Sequence, residues 1–372
     1  MKILIFISHQ PDARFIKYIN FLAKNNKVDL VYFQRKTLPN IDSSIEKSIL
    51  NKINLGIIPN ASQPLKRLIK YILATNGLMR IHKTCYDIVL VNNFDILFLF
   101  VFSRFLFFRK TKDCKIIADI SDLREYVFKS SLKDRMICRF EKWLYINYLD
   151  KLIVSSKKYL SYHFNDFFKK DVFVLENKLM HSFLETNTSE IYSKDNKTVI
   201  GIVGLLLRKN EYFKLFEIYK EDPKIEIHIY GKGLYQNLVE EYAKKYDNIK
   251  YFGPYNAFTD IHKIYKSLDI MYLVYDSNQV SLNNRLALPN KLYECMAFKV
   301  PILCSSNTYL EEIVKKNCIG FSVDYRIKSE IEEGVRFLID NQKEILSNFT
   351  LLPKNIYYGN DDYKKLESFL LN

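Results

Sequence analysis

The chain has little of what marks several classes of protein. Glycine and proline are scarce, ten and nine in 372 residues, so neither a collagen-like nor a low-complexity disordered chain is expected. The six cysteines (Cys85, Cys114, Cys138, Cys295, Cys304, Cys318) form no Cys-x-x-Cys pair and no compact spacing. That argues against a disulfide framework or a zinc module and fits a reducing cytoplasm. No apolar run is long enough to span a bilayer: the longest, Ile96–Phe108, is interrupted by Arg104 and closed by Arg109-Lys110. The apolar run in Met1–His9 is too short for a signal peptide and reads as a first strand. No Gly-x-Gly-x-x-Gly follows any strand-like run, so a dinucleotide oxidoreductase is not indicated. Nor is there a recognised nucleic-acid module, and aromatic residues are not interleaved with a basic strip. Charge alone speaks for nucleic-acid binding, and none is expected.

What is present is length for two domains and material for their cores, with 48% hydrophobic and 15% aromatic residues. The net charge is +14, and it is lopsided. Residues 1–190 hold 31 Lys and Arg against 18 Asp and Glu, and the rest hold 25 against 24, so nearly all the excess lies in the first half. A basic half joined to a neutral one points to one half meeting an anionic partner. The Ile96–Phe108 stretch reads either as a buried core helix or as a helix lying partly in a membrane interface.

Strand-like and helix-like segments alternate through the chain. Apolar runs at Lys2–Ile7, Val28–Phe33, Tyr86–Val91, Lys115–Ile120, Leu152–Val154 and Val172–Leu175 are separated by helical patterns, among them 13–24, 133–148 and 157–168, while 37–80 reads as irregular apart from a helix near 65–73. Residues 181–197 turn polar and lose periodicity, and the alternation then restarts at Thr198. Continuous apolar strands alternating with helices indicate parallel sheets buried on both faces. The expected fold class is therefore α/β, with two doubly wound Rossmann-like domains, and ligands are expected at the carboxyl ends of the strands.

One stretch organises the second half: Pro289-Asn290-Lys291-Leu292-Tyr293-Glu294-Cys295-Met296-Ala297. Pro289 suits the first position of a helix. No Ser, Thr, Asp or Asn stands directly before Pro289 to cap the helix, so its first N–H groups are free to receive an anion, with Lys291 beside them. Glu294, one turn further in, suits the hydroxyls of a sugar. The plain alternative is an amphipathic helix before a buried strand.

This stretch resembles the nucleotide-sugar segment of GT-B glycosyltransferases, in particular the family 4-like enzymes of bacterial capsule and O-antigen synthesis. Other pieces resemble that family in the same order: Asp119-Ile-Ser-Asp122-Leu-Arg124-Glu125, Glu141-Lys-Trp143 with Leu149–Ser156, Gly201-x-x-Gly204 with Arg208-Lys209, and Tyr230-Gly231-Lys-Gly233. The resemblance implies a GT-B frame whose two domains face a cleft: 1–180 basic, acceptor-binding and membrane-facing, 198–355 binding the donor, and 356–372 a helix returning to the first domain. It implies transfer from a nucleotide diphosphate sugar to a polyprenyl-diphosphate-linked oligosaccharide, at the inner face of an anionic membrane.

Donor contacts are expected from Arg208, Lys209, Tyr230, Gly231, Pro289, Asn290, Lys291 and Glu294. Asp122 and Asp119 are expected as catalytic groups, with His9 and Arg124 on the acceptor side. No cofactor and no metal is expected: the chain has no Asp-x-Asp triplet, and fixed cations suffice for the leaving phosphate. One departure stands out. Where the family often has Glu-x7-Glu, the first position is Leu286, which leaves Asp276 or Asn284 to face the donor sugar and bears on a retaining outcome. A GT-B-fold nucleotide-sugar epimerase and a nucleic-acid-binding protein are the alternative readings.

Overall fold

Strand β1 (Lys2–Ile7) is buried from Ile3 onward. Successive side chains of a strand point to opposite faces, so both faces of its sheet are covered. The same holds for β2 (Lys27–Gln34), β4 (Ile88–Val91), β5 (Lys115–Ile120) and β6 (Lys151–Val154). With β3 (Asn51–Ile57) and β7 (Val172–Val174) they form a seven-stranded sheet in the order β3-β2-β1-β4-β5-β6-β7, every pair parallel. Between them run α1 (Ala13–Leu22), α2 (Pro64–Leu73), α3 (Thr75–His82), α4 (Phe94–Phe107), α5 (Leu132–Tyr148) and the short α6 (Lys157–Tyr159).

A second parallel sheet has six strands in the order β10-β9-β8-β11-β12-β13: β8 (Thr198–Leu205), β9 (Ile225–Lys232), β10 (Ile249–Gly253), β11 (Ile270–Leu273), β12 (Ile302–Ser305) and β13 (Gly320–Val323). Its helices are α7 (Lys209–Tyr219), α8 (Gln236–Lys245), α9 (Ile261–Ser267), α10 (Leu282–Leu286), α11 (Asn290–Phe298), α12 (Tyr309–Lys316), α13 (Lys328–Asp340) and α14 (Gln342–Leu351), before a last helix, α15 (Asn360–Leu371). In each sheet the strand order reverses beside the first strand, the switch point at which such folds bind ligands.

These coordinates are a computed structural model that describes residues 1–35, 45, 47–59, 64–107, 114–180, 197–256, 259–276 and 282–371. They divide into Met1–Glu176 with Asp361–Asn372, and Asn177–Asn360. Both boundaries differ slightly from expectation, for one reason. Residues 177–180 and 356–360 hold each other: Leu179 N–H donates to Tyr357 O at 2.9 Å and Gly359 N–H to Leu179 O at 2.8 Å. They therefore belong to the second unit. The return of α15 is as expected. Tyr363 packs edge-on against Tyr18 at 5.7 Å, and Lys151 Nζ donates to Phe369 O at 2.6 Å.

Three local expectations are corrected. β3 was read as irregular because it is a largely exposed edge strand of polar composition, so it carries no continuous apolar run. The helix expected over 157–168 stops after one turn and passes into a π-turn, Leu160–Phe164, in which Asn165 N–H donates to Leu160 O at 3.0 Å. The 275–288 loop contains α10. Residues 181–196 of the expected linker, together with Arg109 and Lys110, lie outside the described residues.

Asp119, at the end of β5, is fully buried. Arg14 on α1 grips it with Nε to Oδ2 and Nη2 to Oδ1, both at 2.8 Å, and Arg14 Nη1 donates to Leu175 O at 2.8 Å. The pair ties α1 to β5 and to the end of β7. Removing one partner of a buried pair strands the other charge. Arg14→Met is therefore expected to destabilise the first unit by about 3–5 kcal/mol, read by urea unfolding through the single tryptophan, Trp143. Arg14→Met with Asp119→Leu should recover most of that loss.

Candidate functional site

In the second unit the carboxyl ends of β8 and β9 touch. Gly204 and Gly231 adopt φ of +127° and +146°, and a Cβ on Gly231 would stand 1.7 Å from the Gly204 carbonyl oxygen. Only glycine tolerates that backbone and that approach. Over this bare patch comes Lys291: a Cβ on Gly204 would meet its Cε at 3.7 Å. The side chains around it are aromatic. Lys291 Nζ lies 5.7 Å from the Tyr255 ring centroid, and Arg208 stacks its guanidinium 3.7 Å over Tyr275. Tyr230 lies parallel to Phe252 at 4.6 Å beside Gly231, whose carbonyl accepts from Tyr251 Oη at 2.8 Å.

Pro289 is one place earlier than expected. With φ −73° and ψ 150° it is the extended cap, and Asn290 begins α11. No side chain caps the helix, so its first turn presents N–H groups and the positive end of the dipole. Asn290 Oδ1 accepts from Asn177 Nδ2 at 2.7 Å. Lys291 Nζ donates to Glu294 at 2.8 and 3.1 Å, and the Tyr265 hydroxyl donates to the same carboxylate. Glu294 holds the Lys291 ammonium charged: despite burial, the adjoining carboxylate pushes its pKa up.

Glu294 is thus buried, with both oxygens engaged. The expected role as a hydroxyl acceptor gives way to one of holding Lys291 in place. Lys209, the first residue of α7, is exposed, and Arg208 just before it is half-buried. Asp276 N–H donates to the buried Glu211 at 2.9 Å, and the Tyr325 hydroxyl reaches Asp276 Oδ2 at 3.4 Å.

In the first unit the expected residues separate by environment. Asp119, fully buried and held by Arg14, is a structural anchor and no longer a candidate catalytic group. Asp122 is exposed and accepts from the Tyr159 hydroxyl at 3.4 Å. Arg124 lies 3.6 Å from Asp95. His9 Nδ1 lies 2.6 Å from Gln10 O, a contact that needs the proton on Nδ1. Ser8, Asn92 and Asn93 form a network across the switch point.

Sequence reasoning missed the aromatic partners of the site: Tyr255 beside Lys291, Tyr275 beneath Arg208, and Tyr265, which donates to Glu294. They come from separate loops and a helix, and no spacing links them. Tyr265 meets Glu294 across 29 residues of chain.

Comparison with known structures defines the class first. HepE of Anabaena, in complex with UDP and glucose, matches with a TM-score of 0.72 at 14% identity, covering 100% of this chain and 99% of that one. The lipopolysaccharide outer core galactosyltransferase WaaB, in its apo form, matches at 0.64 and 14%, over 99% and 98%. UDP-GlcNAc 2-epimerase from Neisseria meningitidis, bound to UDP-GlcNAc, matches at 0.64 and 16%, over 100% of each. The fold is GT-B. Within it, residues 185–350 match the model of glycosyl transferases group 1. No curated protein sequence matches it.

The site depends on two features that can be removed separately. Gly231→Ala forces apart β8 and β9 and should destabilise the second unit by about 1–3 kcal/mol. Lys291→Met leaves the Glu294 carboxylate short of a partner, at a similar cost of about 1–3 kcal/mol, and adding Glu294→Leu should restore much of the loss. Guanidinium unfolding followed by circular dichroism measures both.

Proposed function

We propose that this chain is a glycosyltransferase that moves a sugar from a nucleotide diphosphate sugar to a lipid-linked saccharide, a polyprenyl-diphosphate-linked oligosaccharide, in surface polysaccharide (capsule or O-antigen) synthesis. The observation that carries the reading is Lys291, held charged over the bare Gly204–Gly231 patch at the uncapped start of α11. In such a transfer the sugar becomes oxocarbenium-like while negative charge grows on the leaving diphosphate. Cations and helix N–H groups already in place stabilise that charge more than they stabilise the ground state. Lys291, Arg208, Lys209 and the first turn of α11 take this role, without metal. UDP in the HepE structure supports a nucleotide here, with Tyr230 and Phe252 beside Gly231 as a surface for its base. Asp276 stands in for the carboxylate absent at Leu286, and the outcome is retention. Asp122 meets the acceptor hydroxyl as base or hydrogen-bond partner, with Arg124 and His9 on the acceptor side in the same unit.

A membrane surface is supported by α4 and α5. Among the described residues no helix is long and apolar enough to cross a membrane. Yet Phe105 is 80% exposed, Leu132 71% and Trp143 49%. Rings run on from one helix to the other: Phe102 on Phe98, Phe98 against Phe140, Phe140 on Trp143. Lys133, Arg135 and Arg139 are exposed on the same helix α5. Exposed apolar rings beside cations suit the interface of an anionic bilayer, which supports a peripheral position on the cytoplasmic face.

Two measurements test this. A thermal-shift panel of nucleotides and nucleotide sugars should show stabilisation by one diphosphate class, about 2.7 kcal/mol at a hundredfold excess over Kd, with affinity roughly 10- to 100-fold weaker in Lys291→Ala. A flat panel refutes the donor assignment. Flotation with anionic vesicles should be lost at high salt, and changing Lys133, Arg135 and Arg139 to Gln should weaken it roughly 100-fold, at about 1 kcal/mol per charge. Flotation that ignores those changes refutes the membrane surface.

A further inference from the structure

A second constellation lies in the first unit, on α5 and the π-turn. Cys138 and Glu141 are one turn apart on the inner side of α5, and His163 comes from the π-turn after α6. One ligand atom from each lies within 4.8 Å of the others. His163 Nε2 is 3.0 Å from Glu141 Oε2, and both residues are buried. The other oxygen, Oε1, accepts from the Tyr126 hydroxyl at 2.9 Å. Cys138 is half-buried and closes the group toward solvent.

Each feature suits a bound transition-metal ion. A π-turn is an unusual piece of backbone that recurs at functional sites; here it sets His163 opposite Glu141. Sulfur, nitrogen and one carboxylate oxygen form a donor set for zinc or a similar ion, and not for magnesium or calcium, which take oxygen alone. Among the described residues the set offers three ligands, which leaves a fourth position for water. Tyr126 supplies the outer hydrogen bond that orients a ligating carboxylate. The charges balance as well: a thiolate, a carboxylate and a neutral imidazole cancel a dication, which removes the cost of a buried net charge. Ligand atoms of a tetrahedral zinc site lie about 3.5 Å apart, so a shift of about 1 Å, chiefly at the Cys138 side chain, completes it.

We propose that Cys138, Glu141 and His163 bind one zinc-like divalent ion that pins the π-turn to α5. On binding, the Cys138 thiol releases its proton to solvent and His163 binds through Nε2 as the neutral ring. Burial and the nearby Glu141 carboxylate push the free thiol pKa up; a bound dication reverses that balance. The site takes no part in sugar transfer. Its reach extends to Tyr159, one turn before His163, whose hydroxyl donates to Asp122.

The test uses the full chain, stripped with a chelator and titrated with Co(II). About one equivalent should bind with a thiolate-to-cobalt charge-transfer band and the strong visible bands of tetrahedral cobalt, and Zn(II) should displace it. Cys138→Ser should abolish the charge-transfer band, whereas Cys85→Ser and Cys318→Ser, at the exposed cysteines, should keep it. In the unmutated protein, Zn(II) should slow alkylation of Cys138 at least tenfold, as mapped by mass spectrometry. No thiolate band at excess cobalt, a band that survives Cys138→Ser, or alkylation indifferent to Zn(II) overturns the proposal and leaves a buried Glu–His pair.

Discussion

The carboxyl ends of β8 and β9 approach until there is no room for a side chain: the Gly204 carbonyl occupies the space where a Cβ of residue 231 would go. Much else in the second unit follows from that contact. Bare backbone there leaves open the ground above the sheet edge, and Lys291 comes in over it from α11. An ammonium so placed would be costly to bury alone. Glu294, three residues on, lies on the same helical face and pairs with it, and the Tyr265 hydroxyl completes the carboxylate. The helix start, the lysine and the glycine contact form one structure, in which loss of any part moves the others.

Both units use a buried ion pair, to different ends. Arg14 and Asp119 are sealed, with every polar atom of the carboxylate matched, and they join α1, β5 and the chain beyond β7. Lys291 and Glu294 stand at the carboxyl end of a sheet, where the carboxylate fixes a cation over bare backbone. The contrast explains why two acidic residues of similar motif rank, Asp119 and Asp122, part so completely. One lies on the strand, under the helix layer; the other lies three residues on, in the exposed turn.

Helix α5 shows how one element serves two surroundings. Its outer side exposes Leu132, Met136, Phe140 and Trp143 with arginines and a lysine between them. Its inner side buries Leu144 and Tyr145, and Glu141 against His163. A helix apolar on the outside is stable only because the inner side is anchored by packing and by that polar contact. The hydrophobic outer side then remains available without loosening the fold.

Much of the fold was legible because parallel strands buried on both faces must be apolar throughout, and such runs are visible in one dimension. The alternation of Lys2–Ile7, Ile88–Val91 and Lys115–Ile120 with helices sufficed for the fold class. Edge strand β3 was hidden because solvent accepts polar residues there. The surroundings of Asp119 and Glu294 were not legible, because a partner decides whether a carboxylate faces ligand or protein, and Arg14 and Tyr265 stand 105 and 29 residues away. The Cys138, Glu141 and His163 group carries no spacing that marks it. By itself, then, the sequence determined which residue types lie on which elements, since burial and periodicity act locally. Only the tertiary structure decided which charges meet, since that depends on strand order and on how closely two glycines let the chain approach itself.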